Sequence, residues 1–419
     1  MKRSLIISFN LEPYNTPRAI RLGSILDHIS NKKILVDVVT YKKNKKRYSK
    51  NIKIHSHENF LFNKFFNKSP EKKYKNSFFF TNIFNQIIIK FILSLYKFIG
   101  KYIIWPDYAF FSILSFYKNS AKLIEKKKIN HLITISHPFS CHIVGLLLKK
   151  KFPNIVWDAE SSDPFSLMQE PKPNNIHIYK YINYFFEKKV LVNCRRFYVN
   201  NYETKKKYLK YFYGFKKKII ILEPLSLFQK NRINKLSFNT KYNLVYAGAF
   251  YKKIRNPEPL FDVFDKLINK YPILKKQIRL NIFTDSSLFY DKIAKYPHLN
   301  SYIFVNKPIE YFKLMNFMTN ETIALNLGNK NNLQIPSKLY EMIGKGLKII
   351  NIHYNIDKNS RKILHGYPNY INLNIDKKIN LKLLYNFFKK KKNKSFDEKT
   401  FNKKYKKNTL KYISRAYFN

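Results

Sequence analysis

Short apolar runs rich in β-branched residues alternate with helical patterns twice along this chain, and that alternation most constrains how it can fold. The first series is LIISF (5–9), ILVDVVT (34–40), HLITIS (131–136), NIVWDA (154–159) and RFYVN (196–200). The second is NLVYAG (243–248), IRLNIFT (278–284), SYIFVN (301–306), TIALNLG (322–328) and LKIIN (347–351). Strands that alternate with helices pair in parallel, because each return crosses a face of the sheet. Two series therefore predict two α/β domains, and 419 residues suffice for two cores of ordinary size. Between them EPLSLFQKNRINKLSFNTK (223–241) is polar and aperiodic, which makes it the expected boundary and hinge. The domains are expected at 1–228 and 240–386. Residues 387–419 are either a basic helix crossing back to the first domain or a solvated tail.

Lys and Arg number 80 against 26 Asp and Glu, a formal net charge of +54. Such a field attracts nucleic acid, anionic lipid or nucleotide phosphate without choosing among them. The excess is spread over the whole length, as a general compositional bias would spread it, whereas a dedicated nucleic-acid surface would be clustered. Cys141 and Cys194 are the only cysteines, so a disulfide framework and a four-cysteine zinc site are excluded within one chain, which fits a reducing cytoplasm. The apolar run in MKRSLIISFNLEPYN is about five residues, below the roughly 7–15 of a signal-peptide core, and reads as the first buried strand.

An insertion at about 60–107 interrupts the first series. Within it, residues 76–104 are strongly apolar, yet Asn82, Gln86, Lys90, Ser94, Lys97 and Lys101 recur at helical intervals and form one polar stripe. A membrane span would bury Lys90 near the bilayer centre at about 2.5–3.5 kcal/mol. An in-plane helix avoids that cost and sets its lysines beside anionic headgroups. A helix packed on the sheet or at a dimer contact is the other reading.

Residues 335–346, IPSKLYEMIGKG, carry a helix start at Pro336 and Ser337 and a stop at Gly344 or Gly346. Leu339, Met342 and Ile343 fall on one side of that helix; Ser337 and Glu341 fall on another. A helix N-terminus beside a strand end is where an α/β sheet binds phosphate.

This segment resembles the PSK-x-x-E-x-x-x-x-G-K-P element of glycosyltransferase family four, enzymes of the GT-B fold. FNLEPYNTPRAIRLGSIL (9–26), WPDYAFF (105–111), ITISHPFSCHIVGLLLKKKFPNIVWDAESSDPF (133–165) and LVYAGAFYKKIRNPEPL (244–260) resemble further stretches of the same family in the same order. The resemblance implies two Rossmann-like domains facing a cleft, with a sugar nucleotide on the second. Glu341 then matches the acidic residue that binds the ribose hydroxyls, since a carboxylate accepts two hydrogen bonds from a diol. Ser337 and Lys338 match the PSK positions near phosphate. Arg255, seven residues past Gly248, matches a basic position on the diphosphate, where a guanidinium can bind oxygens bidentately and stabilise the departing charge.

On the first domain the resemblance implies that His137 lines the acceptor side and contacts a sugar hydroxyl or the reacting centre. It places Arg18 and Asp163 on the same side. Leu333 stands where the family usually has a second Glu, and the family's Gly-Gly is absent near Arg18. Asn329, Asn331 and Gln334 are polar neighbours expected to replace that Glu on the donor sugar. His137, Cys141 and His142 lack the fourth partner of a zinc site.

No GxGxxG follows a strand, and no P-loop, GxSxG or Asp-x-Asp pair is present. The expectation is a retaining, metal-independent glycosyltransferase needing no cofactor. It would move a sugar from a UDP- or GDP-linked donor to a lipid-linked or growing glycan, in surface polysaccharide or glycolipid synthesis. It would act as a peripheral protein at the cytoplasmic face of the membrane, on an anionic surface, with no specific nucleic acid, and domain closure about 223–241 would exclude water. The alternatives are a basic nucleic-acid-binding protein and a non-catalytic GT-B scaffold.

Overall fold

The computed structural model describes residues 3–12, 14–43, 46–58, 103–168, 170, 172–229, 240–319, 321–393 and 396–419. The amphipathic stripe expected between Asn82 and Lys101, and most of the insertion, lie outside the described residues. The described chain divides into two compact units, Met1–Ile221 with Tyr417–Asn419, and Leu222–Ala416.

The first unit is built on β1 (Arg3–Ser8), β2 (Leu35–Thr40), β3 (Ile52–Ser56), β4 (His131–Ser136), β5 (Val156–Ser161), β6 (Arg196–Val199) and β7 (Ile219–Ile221). They form one sheet in the order β3-β2-β1-β4-β5-β6-β7, with all neighbouring strands parallel. The six-residue β4 is buried at all positions, as a central strand covered on both faces must be. Helix α1 (Pro17–Ile29) starts with the Thr16 side chain accepting from Ala19 N–H, with Pro17 at the first helical position. Helices α2 (Ile113–Lys127), α3 (Ser140–Lys151), α4 (Ile176–Asn193) and α5 (Tyr202–Tyr211) follow. Gly145 on α3 faces the Trp157 indole, which occupies the space that a larger side chain would need.

The second unit is built on β8 (Tyr242–Ala247), β9 (Ile278–Phe283), β10 (Ile303–Asn306), β11 (Ile323–Leu327), β12 (Lys348–His353) and β13 (Tyr370–Asn374), in the parallel order β10-β9-β8-β11-β12-β13. The helices of this unit are α6 (Glu258–Lys270), α7 (Ser287–Ile293), α8 (Tyr311–Phe317), α9 (Lys338–Gly344), α10 (Lys358–Leu364), α11 (Leu381–Lys389), α12 (Glu398–Lys404) and α13 (Leu410–Phe418). The last residues of α13, from Tyr417, are counted with the first unit. Tyr417 is buried there and its hydroxyl donates to Glu160.

All ten strands expected from sequence are present within two residues of their limits. The three not expected, β3, β7 and β13, are all sheet edges. An edge strand has one neighbour and a half-wetted pattern, so it carries less apolar signal. Residues 223–229, read from sequence as the start of the linker, are held on the second unit. Ser226 Oγ donates to Tyr340 O at 2.9 Å, Gln229 N–H to Gly344 O at 2.9 Å, and Asn408 Nδ2 to Pro224 O at 2.7 Å. Each of these bonds on the strap ends on a backbone carbonyl, which leaves no periodic side-chain pattern in the sequence.

Candidate functional site

In each sheet the direction of strand addition reverses at one point, between β1 and β4 in the first unit and between β8 and β11 in the second. The connections leave those adjacent strands on opposite faces of the sheet and open a crevice at their C-terminal ends, the general ligand position of open α/β folds. The residues singled out from sequence collect at these two points.

In the second unit the chain leaves β8 through Gly248 and turns back on itself. Tyr251 and Arg255 pair antiparallel through N–H···O contacts of 2.9 and 3.0 Å. The turn leaves the half-buried Arg255 beside Gly248, where an added Cβ would lie 3.2 Å from the Tyr246 hydroxyl and 3.8 Å from Arg255 Nη1. Arg255 Nε donates to Asn329 Oδ1 at 2.9 Å, and Lys330 N–H donates to Ile254 O at 2.8 Å. The loops after β8 and β11 are thereby stitched together across the switch point. Asn329 is buried and its Nδ2 donates to Gln334 O at 2.9 Å, so both ends of its amide are used. Asn331 accepts from the N–H groups of Leu333 and Gln334 at 3.1 and 3.3 Å. Asn329 and Asn331 both shape this loop, and Leu333 is a buried apolar residue.

The loop feeds α9. Ser337 is its N-cap residue but makes no side-chain cap, leaving its hydroxyl at the helix start. Leu339, Met342 and Ile343 are buried as the helical spacing predicts. The helix ends in a Schellman arrangement: Gly346 has φ +64°, its N–H bonds Ile343 O at 2.8 Å, and Leu347 N–H bonds Met342 O at 3.1 Å. Gly346 is thus the stop. Gly344 has another task, because the Leu227 carbonyl occupies the space where its Cβ would stand. Glu341 points away from the core face with its side chain 13% exposed. Burial raises its pKa, and Lys338 Nζ, 3.7 Å from Oε2, opposes that shift. Oε2 has no hydrogen-bond partner among the described residues, which leaves an acceptor beside the helix start.

In the first unit Arg18 on α1, His137 just after β4 and Asp163 just after β5 come together from positions far apart in sequence. Arg18 Nη2 and Asp163 Oδ2 form an ion pair. Burial, with the Arg18 charge adding to it, pushes the His137 pKa down to about 3, so the imidazole is neutral near pH 7. Its Nδ1 is buried without a hydrogen bond. Asn10 Nδ2 donates to His137 O at 3.1 Å, and the Tyr108 ring packs edge-on at 5.8 Å between centroids. Cys141 and His142 point elsewhere: Cys141 is buried, and His142 Nδ1 lies 2.7 Å from Thr134 Oγ1.

Sequence reasoning missed the supports of this cluster. Asp107 is fully buried and accepts from Ala109 N–H, the N–H groups of Phe139 and Ser140, and Ser140 Oγ. It pins the segment after His137 at the start of α3. Arg21 pairs with Glu160 at 2.8 Å, both nearly buried, and ties α1 to the end of β5. A buried charge must be paired to be tolerated, and only the folded chain shows the partner. Arg21, three residues after Arg18 on an amphipathic helix, carried the one available signal: a cation on the inward side.

Two Rossmann-like units, each with polar residues gathered at its switch point, are the features of the GT-B class of fold, and this chain has that fold. Solved structures share it over nearly the whole length. The UDP-forming α,α-trehalose-phosphate synthase from Burkholderia xenovorans matches over 99% of this chain and 98% of that one, with TM-score 0.60 and 8% identity. The N-terminal domain of the Candida albicans trehalose-6-phosphate phosphatase matches over 99% and 95%, with TM-score 0.59 and 10% identity. A glycosyltransferase from Rickettsia africae matches over 99% and 96%, with TM-score 0.55 and 11% identity. At these identities the likeness is one of fold. The chain matches no protein-family model and no curated protein sequence.

Proposed function

We propose that this protein is a glycosyltransferase that takes a nucleotide-sugar donor on its second unit. The observation that carries the reading is the stitched switch point, where Arg255 is aimed by Asn329 and the same loop leads into α9 with Ser337 at its start and Glu341 one turn inside. A cation and a helix start suit a diphosphate; a carboxylate with an unused oxygen suits a ribose diol. Gly248 gives the diphosphate close access to the backbone, Lys338 adds charge, and Gln334 borders the sugar. The Burkholderia enzyme of similar fold is described as UDP-forming, which favours a uridine donor.

The transfer breaks the bond between the anomeric carbon and the diphosphate oxygen, the electron pair leaves with the diphosphate, the acceptor oxygen bonds to the same carbon, and its proton passes to the departing diphosphate. Arg255 and the start of α9 stabilise the leaving charge without a metal, and configuration is retained. On the first unit, neutral His137 hydrogen-bonds a sugar hydroxyl, while Asp163, held by Arg18, accepts from the acceptor. The acceptor is a lipid-linked or growing glycan, and the protein works as a peripheral protein at the cytoplasmic membrane face. Among the described residues no helix is long and apolar enough to cross a membrane.

Calorimetric titration of UDP and GDP into the protein at moderate salt tests the donor reading, repeated with Arg255→Ala and Glu341→Ala. One nucleotide binding, with both substitutions weakening it, supports the site. Equal binding by all three proteins places the nucleotide elsewhere.

A further inference from the structure

Helix α4 presents an apolar face to solvent. Ile178, Tyr181, Ile182, Phe185 and Val192 are 56%, 80%, 41%, 50% and 52% exposed. Their spacings of three, one, three and seven put them on one side of a helix, while Asn183, Glu187, Val190 and Leu191 on the other side are buried in the first unit. An amphipathic helix normally turns such a stripe inward. Single exposed apolar residues need no explanation, but a contiguous stripe does.

The charges on this helix select what the stripe meets. Lys180, Lys188 and Lys189 flank it; Lys180 Nζ lies 5.7 Å from the Tyr181 ring centre and Lys189 Nζ 4.5 Å from that of Phe185. The helix has one acid, Glu187, and it faces inward, fully buried, accepting from Phe165 N–H, Ser166 N–H and the Tyr208 hydroxyl. Nothing on the exposed face of α4 is negative. A second copy docked stripe to stripe would bring lysines against lysines, whereas an anionic bilayer surface satisfies the apolar and cationic parts together. Aromatic rings with lysines beside them are also suited to headgroup depth.

The neighbouring chain extends the patch. The Tyr179 hydroxyl donates to Ile103 O at 2.7 Å, holding a residue that is 65% exposed at one side. The Tyr184 hydroxyl donates to Tyr211 O at 2.9 Å, next to the turn that carries Tyr213, which is 94% exposed.

We infer that the exposed face of α4 is a docking surface for an anionic lipid bilayer, lying in the plane of the interface. The inference deepens the membrane part of the proposed function and rests on it, but not on donor binding. The test is sedimentation of the full chain with vesicles of phosphatidylcholine alone or with about one third phosphatidylglycerol. Ile178→Ser with Tyr181→Ser and Phe185→Ser is expected to lower partitioning on both vesicle types, by at least about tenfold on the anionic ones. Lys180→Glu with Lys188→Glu and Lys189→Glu is expected to lower it on anionic vesicles alone, by about fivefold or more per lysine. Unaltered thermal unfolding and UDP affinity in both variants show that the fold and donor site are intact. Unchanged partitioning of both variants places lipid binding elsewhere in the chain and overturns the inference. Loss of self-association with unchanged partitioning overturns it in favour of a second copy.

Discussion

Arg255 Nε donates to Asn329 Oδ1 at 2.9 Å, joining the loop after β8 to the loop after β11. The bond orients the guanidinium plane before any ligand arrives, so the diphosphate of the proposed donor would meet an oriented fork instead of a mobile side chain. Asn329→Ala is expected to weaken UDP binding about tenfold, and Arg255→Ala about thirtyfold or more. Calorimetry on both variants and on the double variant checks the linkage: if Asn329 acts by aiming Arg255, the double variant is no weaker than Arg255→Ala alone.

Glu341 is nearly buried and its pKa is raised by that burial. Only the ionised form accepts both hydrogen bonds of a ribose diol. Affinity for a UDP-sugar, whose diphosphate diester does not titrate in this range, is therefore expected to rise with pH through the raised value, and Glu341→Gln to abolish that rise. An identical pH profile for the two proteins would remove Glu341 from the ribose.

Burial pushes His137 down to about 3, with Arg18 adding to the shift, and His142 to about 3 through burial. Both bind a proton in the unfolded chain at the ordinary value near 6.5 and resist it when folded. Their contribution to stability is full above 6.5 and falls as pH drops toward 3, by about 1.4 kcal/mol per pH unit for each group. Denaturant unfolding at pH 6.5 and 5 should show that loss, and His137→Gln should lessen it by one proton's worth.

Asp158 is fully buried, accepting from Arg195 Nε at 2.9 Å, with His131 Nε2 at 3.1 Å. Burial alone would raise its pKa, but the hydrogen bonds from His131 and Arg195 lower it overall. A lowered carboxylate stabilises above the ordinary value near 3.8 and loses that contribution as pH falls through the folded value. Asp158→Asn is expected to cost about 3 kcal/mol at neutral pH, measured by urea unfolding, because the buried histidine and the more exposed arginine lose their charged partner.

Gly344→Ala is expected to destabilise by about 2 kcal/mol or more, since its Cβ meets the Leu227 carbonyl and the strap must move. Gly346→Ala tests a different cause, the cost of φ +64° for a residue with a side chain, about 1 kcal/mol. Unfolding curves that ranked these two in reverse would contradict the division of labour between the glycines.

The central strands were legible because buried parallel strands are continuous apolar runs. The α9 register was legible because Leu339, Met342 and Ile343 must share one face. The three-residue β7, whose residues Ile220 and Ile221 are half-buried, was not: one pairing partner at an edge leaves too little pattern in so short a run. The strap 223–229 read as linker for a similar reason, since the hydrogen bonds that hold it on the second unit end largely on backbone carbonyls.

By itself the sequence determined the two parallel-sheet units, the start and core face of α9, and a short set of polar residues near strand ends, because these depend on periodicity and local backbone preference. Only the tertiary structure decided which of those residues meet. It set Asn329 to aim Arg255, neutralised His137 by burial, paired Arg21 with Glu160, and turned the apolar stripe of α4 outward. Each of those outcomes depends on the distance between residues remote in sequence and on removal from water, and a linear pattern encodes neither.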